Sequence, residues 1–411
     1  MKPLTATLVF VALALTMLTS ASLAPGADSI RVGYLGPLTG IFAAAGKDML
    51  DGLKMAFEQV NYEVAGRKIE LIEEDDEGNP ATAQAKYRKL VAQDRIHVLD
   101  GVLLSNIGYA LVPNIERDRL PSLYLTTPDD LTKRRIAKYL MRTNFAASQP
   151  MHALGDYAAR TLKYKRVAAI AMDNNFGHEG IGGFQRVLED AGGRVVQKTW
   201  VPLNAMDFAP YLTQVPRDVD AVVQVFVAGQ AVRFAKQYGE SALAGKVPLI
   251  GTGVFSDQSS LSGMGDEVIG FVGTMIWAPT LDNPANRAFM KIAEAKLKRT
   301  PSYFHAVMYS SGRWIIEAAR SLGGNVEDRD RFLAALRRAS ETTDDPRGPI
   351  KLDEYGNPTE NVYIVRVDKV AGRLQNTIIH TYPMVSQFWT YKADEFLKTP
   401  PYDRAYPPVK P

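Results

Sequence analysis

Cysteine is absent from all 411 residues. That removes disulfides, thiol nucleophiles, thiolate metal ligands and a lipid-bearing cysteine behind a leader, so the fold must rest on buried apolar area. Histidine is scarce, with five copies, and none falls in an H-E-x-x-H or H-x-x-x-H pattern. A G-x-S-x-G elbow is missing too, so the sequence offers no ready hydrolytic centre and the chain is not expected to be an enzyme. Neither sign of charge dominates. The formal net charge of +3 is too small for an electrostatic nucleic-acid surface, and no nucleic-acid partner is expected. The run Lys133-Arg134-Arg135 reads as a solvated face. The acids from Glu73 to Glu77 lack the regular oxygen spacing of a calcium loop, so neither a metal nor a cofactor is expected. Beyond the N-terminus no run is long and apolar enough to anchor the chain in a bilayer.

Glycine-rich phosphate loops remain as a candidate. In "LGPLTGIFAAAGKD" (35–48), five residues separate Gly40 from Gly46, one more than a Walker loop allows, and Asp48 stands where its hydroxyl belongs. Gly33, Gly36 and Gly40 also miss the G-x-G-x-x-G spacing. This turn holds no nucleotide phosphate.

What is present is ordinary globular composition, 46% hydrophobic and 23% charged, over a length that favours two lobes. Lys2 precedes an apolar run over 8–18 and small residues over 19–27, the order of a secretory signal cleaved near Ala24 or Ala27. A signal peptide over 1–27 and an exported, periplasmic chain are therefore expected. From "IRVGYL" onward, β-rich runs alternate with helical ones, the order that builds a parallel sheet covered on both faces. The spacing predicts helices over 48–61, 106–117, 151–162, 177–191, 230–241, 284–298, 305–322 and 328–339. Asn79-Pro80 supplies an N-cap and a first-turn proline for one more. "NVYIVRVDKVAGRLQNTIIHTY" predicts a β-hairpin, and the tail over 392–411 is expected to wrap the surface.

The order of these signatures resembles the type I periplasmic solute-binding proteins of ABC importers, in the branched-chain amino-acid-binding family. The resemblance is carried by "IRVGYLGPLTG…GLKMAFEQVN", "EEDDEGNPATAQ", "LPSLYLTTPDDLT", "LMRTNFAASQ", "MDNNFGHEG", "MDFAPYLTQV…DAVV" and "YSSGRWIIEAARSLGG", in register from Ser29 to about Trp389. It implies an α/β fold of two lobes, each a mostly parallel sheet flanked by helices. Three hinge crossovers are implied near 143–148, 271–275 and 346–350. The first lobe would then comprise 28–145 and 273–348, and the second 146–272 and 349–391. It further implies a small-molecule solute held in the cleft, closure by hinge motion, and an ABC permease as partner. A monomer is expected.

Within that frame Phe42, in the turn after the first strand, either contacts solute or caps the first lobe's core. Leu104, Ser105 and Asn106 open a helix, where Ser105 is either a plain N-cap or part of an anion site made with free backbone amides. Thr126 and Thr127 occupy a second such turn, or serve turn chemistry before Pro128. Asn175, Phe176, Phe226 and Thr252 lie at strand ends of the second lobe, as ligand contacts or as packing. Arg142 is assigned to hinge support. The family's amino-acid sites pair the ammonium with a glutamate in the turn after "VPLI", which here reads Gly251-Thr252-Gly253-Val254, with Asp257 several residues late. Ala43-Ala44-Ala45 replace an aromatic the family tends to place beside the first loop, leaving room for a flat ring. The tail resembles the extension of members that bind lignin-derived aromatic acids. An aromatic carboxylate is accordingly the expected solute. The alternatives are a branched-chain amino acid or amide, or a ligand sensor on the same fold.

Overall fold

The computed structural model describes residues 29–134 and 137–410. The expected signal peptide, and Arg135 of the basic run, lie outside the described residues. The β and α runs alternate into two sheets. In the first, six strands lie in the order Glu63–Val64, Arg67–Asp75, Ile30–Gly36, Val98–Gly101, Ser122–Tyr124, Leu140–Arg142. All its pairs are parallel except the short one made by Glu63–Val64. In the second, the path runs Ile350–Leu352, Pro358–Val370, Val272–Met275, Leu249–Thr252, Ala221–Val225, Arg166–Met172, Arg194–Val201. Arg373–Val385 pairs with Pro358–Val370 as the expected hairpin and completes eight strands. Strands covered on both faces need apolar residues throughout, and Ile30–Gly36 and Ala221–Val225 are buried almost end to end.

The chain passes between the sheets between Arg142 and Ser148, after Met275, and between Thr342 and Ile350. Val272–Met275 pairs inside the second sheet, so the second passage follows Met275 and does not fall within 271–275. The helix Tyr303–Ser321 returns to the first sheet's side and lies on the helix Ala43–Glu58. Glycines permit that closeness. A Cβ on Gly52 would come 2.5 Å from the His305 carbonyl oxygen, and one on Gly312 2.6 Å from the Ala56 Cβ.

Several helices begin two to five residues before the expected start, as in Ala43–Glu58, Ser148–Arg160 and Tyr303–Ser321. Apolar periodicity marks only the buried stretch of a helix, and the three alanines after Phe42 are themselves strong helix formers. Asn79 caps Pro80–Ala92 as its type predicts, accepting from the Ala81 and Thr82 amides at 2.8 and 3.2 Å.

Lys133 and Arg134 of the basic run do not form a solvated face. Lys133 is 1% exposed, with its Nζ 2.7 Å from Asp129, 2.9 Å from the Ser148 hydroxyl and 4.8 Å from the Phe396 ring centre. Arg134 pairs with Asp130 at 2.8 Å and donates to the Thr399 carbonyl at 2.6 Å. Phe396 and Thr399 belong to the C-terminal segment, which forms the helix Ala393–Lys398 and buries Phe396 and Tyr402. The Tyr402 hydroxyl meets the buried His152 Nε2 at 3.2 Å. Among the described residues no helix is long and apolar enough to cross a membrane.

Candidate functional site

Strand carboxyl ends from both sheets face one cavity of about 510 Å³. The turn after Ile30–Gly36 is held by Asp75, which accepts from the Leu38 amide at 2.8 Å and the Thr39 hydroxyl at 2.7 Å. That fixes the short 3-10 turn Gly40–Phe42, so Ile41, Phe42, Ala44 and Ala45 form one wall. After Val98–Gly101 the backbone turns through Gly101 at φ 113° and Val102 at φ 52°. A β-branched residue in the left-handed region is strained, and here the turn sends Leu103, Leu104, Ser105 and Asn106 into the cavity. Thr127 follows the Ser122–Tyr124 strand and joins the same wall. The second lobe contributes Asn174, Asn175 and Phe176 after one strand, and Val227, Ala228 and Gly229 after another. Ile41 and Leu203 stand at the rim, 71% and 43% exposed.

Seven of the ten residues singled out from sequence therefore line the cavity: Phe42, Leu104, Ser105, Asn106, Thr127, Asn175 and Phe176. Thr126, Phe226 and Thr252 do not. Thr126 is buried behind the wall, its carbonyl accepting from the Arg142 guanidinium. Phe226 is buried against Phe208 and Phe234, with ring centres 5.4 and 4.5 Å away, because the chain turns at the strand end and the next helix covers it. Thr252 is buried where its strand ends, and its carbonyl accepts from Gln224 Nε2 at 3.4 Å. The Ser105 N-cap reading is also corrected. Leu104 is the N-cap of Ser105–Asp118, with no side-chain cap bond, and Ser105 is the first helical residue. Arg142 bonds Asn357 at 2.8 Å, the Pro128 carbonyl at 2.7 Å and the Thr132 hydroxyl at 3.0 Å, away from the cavity.

Sequence reasoning missed Tyr303 and Phe304, which line the cavity from the start of their helix, their ring centres 4.2 Å apart. The signal lies in "PSYFHAV", where Ser302 caps a helix whose first two residues are the aromatic pair, two positions before the apolar periodicity begins at His305. It also missed Ser259 and Ser260, which follow Asp257.

Among the described residues, none lining the cavity is charged. Six helices begin at its edge, and three of them, behind Phe42, Leu104 and Val227, have no side-chain cap. The starts at Ser105 and Ala228 present unpaired first-turn N–H groups and about half a positive charge, whereas the Ala43 amide is taken by the Gly40 carbonyl of the preceding turn. The cavity thus pairs an apolar body with amide donors suited to an anion. Asp257 is occupied elsewhere. Its carboxylate accepts from the Tyr303 amide at 2.8 Å, the Ser259 amide at 3.0 Å and the Ser259 hydroxyl at 2.7 Å. Burial pushes it up to about 6, against those hydrogen bonds. Burial, reinforced by the charge of Asp129, also holds Glu179 well above the usual carboxylate range. Among the described residues no cluster of three or more His, Asp and Glu side chains is placed to hold a metal ion.

Two α/β lobes enclosing an uncharged cavity rimmed by helix amides define a solute-binding protein. The chain belongs to the periplasmic binding protein family, whose sequence profile matches residues 29–373. It is 26% identical over 378 residues to Leu/Ile/Val-binding protein homolog 6 of Brucella suis, spanning 90% of this chain and 95% of that one. Among solved structures it resembles an ABC transporter substrate-binding protein from Sphaerobacter thermophilus, at 30% identity and TM-score 0.82 over 88% of this chain and 99% of that one. A solute-binding protein from Rhodopseudomonas palustris BisB5, in complex with 3,4-dihydroxy benzoic acid, matches at 29% identity and TM-score 0.82, with 88% and 99% covered. The protein is thus a periplasmic solute-binding protein.

Proposed function

We propose that the cleft captures an aromatic carboxylic acid, of benzoate or cinnamate type, and that the monomeric protein delivers it to an ABC permease. The observation that carries this reading is the absence of charge from the cavity lining. A buried ammonium group without a carboxylate partner costs several kcal/mol, so an α-amino acid is disfavoured. The one acid near the expected place, Asp257, has its oxygens taken by Tyr303 and Ser259. A carboxylate, by contrast, meets amides at the uncapped helix starts together with Ser105, Asn106 and Thr127. Phe42, Phe176 and Phe304 line the same space, and each ring pair adds about 0.5 to 1.5 kcal/mol. The similarity to the chain holding 3,4-dihydroxy benzoic acid supports the same class.

Titration calorimetry with benzoate, 4-hydroxycinnamate, leucine and phenylalanine tests it. Heat from an aromatic acid and none from either amino acid is the expected result. Tight binding of leucine or phenylalanine, with silence from both aromatic acids, would overturn the assignment in favour of the amino-acid carriers for which the Brucella relative is named.

A further inference from the structure

Two buried carboxylates of the second lobe, neither lining the cavity, reach backbone amides of the first. Glu179 Oε2 accepts from the Asp129 amide at 2.9 Å. Asp257 Oδ1 accepts from the Tyr303 amide at 2.8 Å. Each pair sits directly behind a cavity wall. Glu179 lies one turn below Asn175 and Phe176 on their helix, and Asp129 follows Thr127 by two residues. Asp257 precedes Ser259 by two residues, and Tyr303 is itself a wall.

The remaining acceptor atoms of these groups are already engaged, the Asp129 carboxylate partly by Ser148, where the chain enters the second lobe. The Asp129 carboxylate is taken by Lys133 at 2.7 Å and the Ser148 amide at 3.1 Å, which leaves its own N–H to Glu179. The second Asp257 oxygen is taken by Ser259. Both acceptors are nearly inaccessible to water, at 4% and 1% exposure. If the lobes part at these points, a buried amide and a buried carboxylate lose each other, which makes the bonds strong discriminators between open and closed cleft.

We propose that Glu179 and Asp257 are interlobe latches, positioning residues that set solute affinity by holding the cleft shut without touching the solute. This rests on the two-lobed closure of the solute-binding fold, though not on which solute enters. A solute that binds only the closed form has its apparent affinity scaled by the closed fraction, so loss of a latch weakens binding from a distance.

The test uses Glu179→Met and Asp257→Leu, which remove the acceptor, beside Glu179→Gln and Asp257→Asn, which keep one. Small-angle scattering reads closure with and without 4-hydroxybenzoate, and calorimetry reads affinity for the same compound. Expected are more expanded Met and Leu variants, binding about ten- to a hundredfold weaker, with Gln and Asn near the parent. Compactness and affinity equal to the parent in the Met and Leu variants would overturn the proposal. So would failure of both to fold, since the two acids would then belong to the fold itself. If the parent gives no heat with 4-hydroxybenzoate, the aromatic assignment loses support, while the scattering of the ligand-free proteins still decides the latches.

Discussion

Asp100, in the strand Val98–Gly101, is fully buried, its Oδ2 accepting from the Ser311 hydroxyl at 2.6 Å and its Oδ1 from the Gly101 amide at 2.8 Å. Burial pushes its carboxyl up to about 7, against those two hydrogen bonds. The folded chain then keeps this proton up to about pH 7, whereas the unfolded chain releases it near the ordinary value of about 4. Between those values the native state binds more protons, so this group's contribution to stability falls as pH rises. The urea midpoint of the parent should drop relative to Asp100→Asn between about pH 4.5 and 7.5. Parallel profiles would mean that Asp100 titrates alike in both states. Ser105 poses a different test. As first helical residue it can be replaced by alanine without loss of a cap. Ser105→Ala should leave the fold intact and weaken capture of an aromatic acid by about 1 to 3 kcal/mol, read by calorimetry. Unchanged affinity would assign anion binding to the backbone amides alone. Sequence left an N-cap role open for this hydroxyl, because the N-cap and the first helical residue differ by one position and only the backbone distinguishes them.

At the level of elements, the C-terminal segment runs mostly exposed over the surface but sinks two rings, Phe396 and Tyr402, into the body. Phe396 is buried beneath Lys133, and Arg186 stacks over it at 4.5 Å from the ring centre. Tyr402 packs so near the helix Asn175–Asp190 that a Cβ on Gly182 would come 2.6 Å from its ring. Phe396→Ala should therefore cost about 3 to 5 kcal/mol in urea unfolding, the scale of a core phenylalanine. A loss below about 0.5 kcal/mol would mark the segment as surface decoration. The strands and the Asn79-Pro80 helix start were legible because local chemistry decides them. Lys133 was not. Three cations in a row read as hydrated until Asp129, one helical turn earlier, and the ring of Phe396, far along the chain, supply the partners that permit burial. Phe226 misled for a related reason: a strand end reads as cleft-facing, but Phe208 and Phe234 enclose this ring.

For the molecule as a whole, alternation of β and α runs disclosed two sheets, and the family resemblance supplied the cleft between them. How the lobes meet was hidden, since it depends on pairs distant in sequence: Arg142 with Asn357 at 2.8 Å, Arg347 with the Thr143 carbonyl at 2.7 Å, and Asp257 with the Tyr303 amide at 2.8 Å. The cavity's aromatic side was half legible for the same reason, with Phe42 and Phe176 following strands and Tyr303 and Phe304 arriving from a helix that returns to the first lobe. The rim carries a practical consequence. Ile41 and Leu203 stand exposed on opposite lobes of a chain that has no cysteine. A thiol introduced at either point is the molecule's sole sulfhydryl, so maleimide dyes can be placed there without background labelling. A donor and acceptor fluorophore across that mouth would turn hinge closure into a change in energy transfer, and the protein into an optical sensor for its own solute.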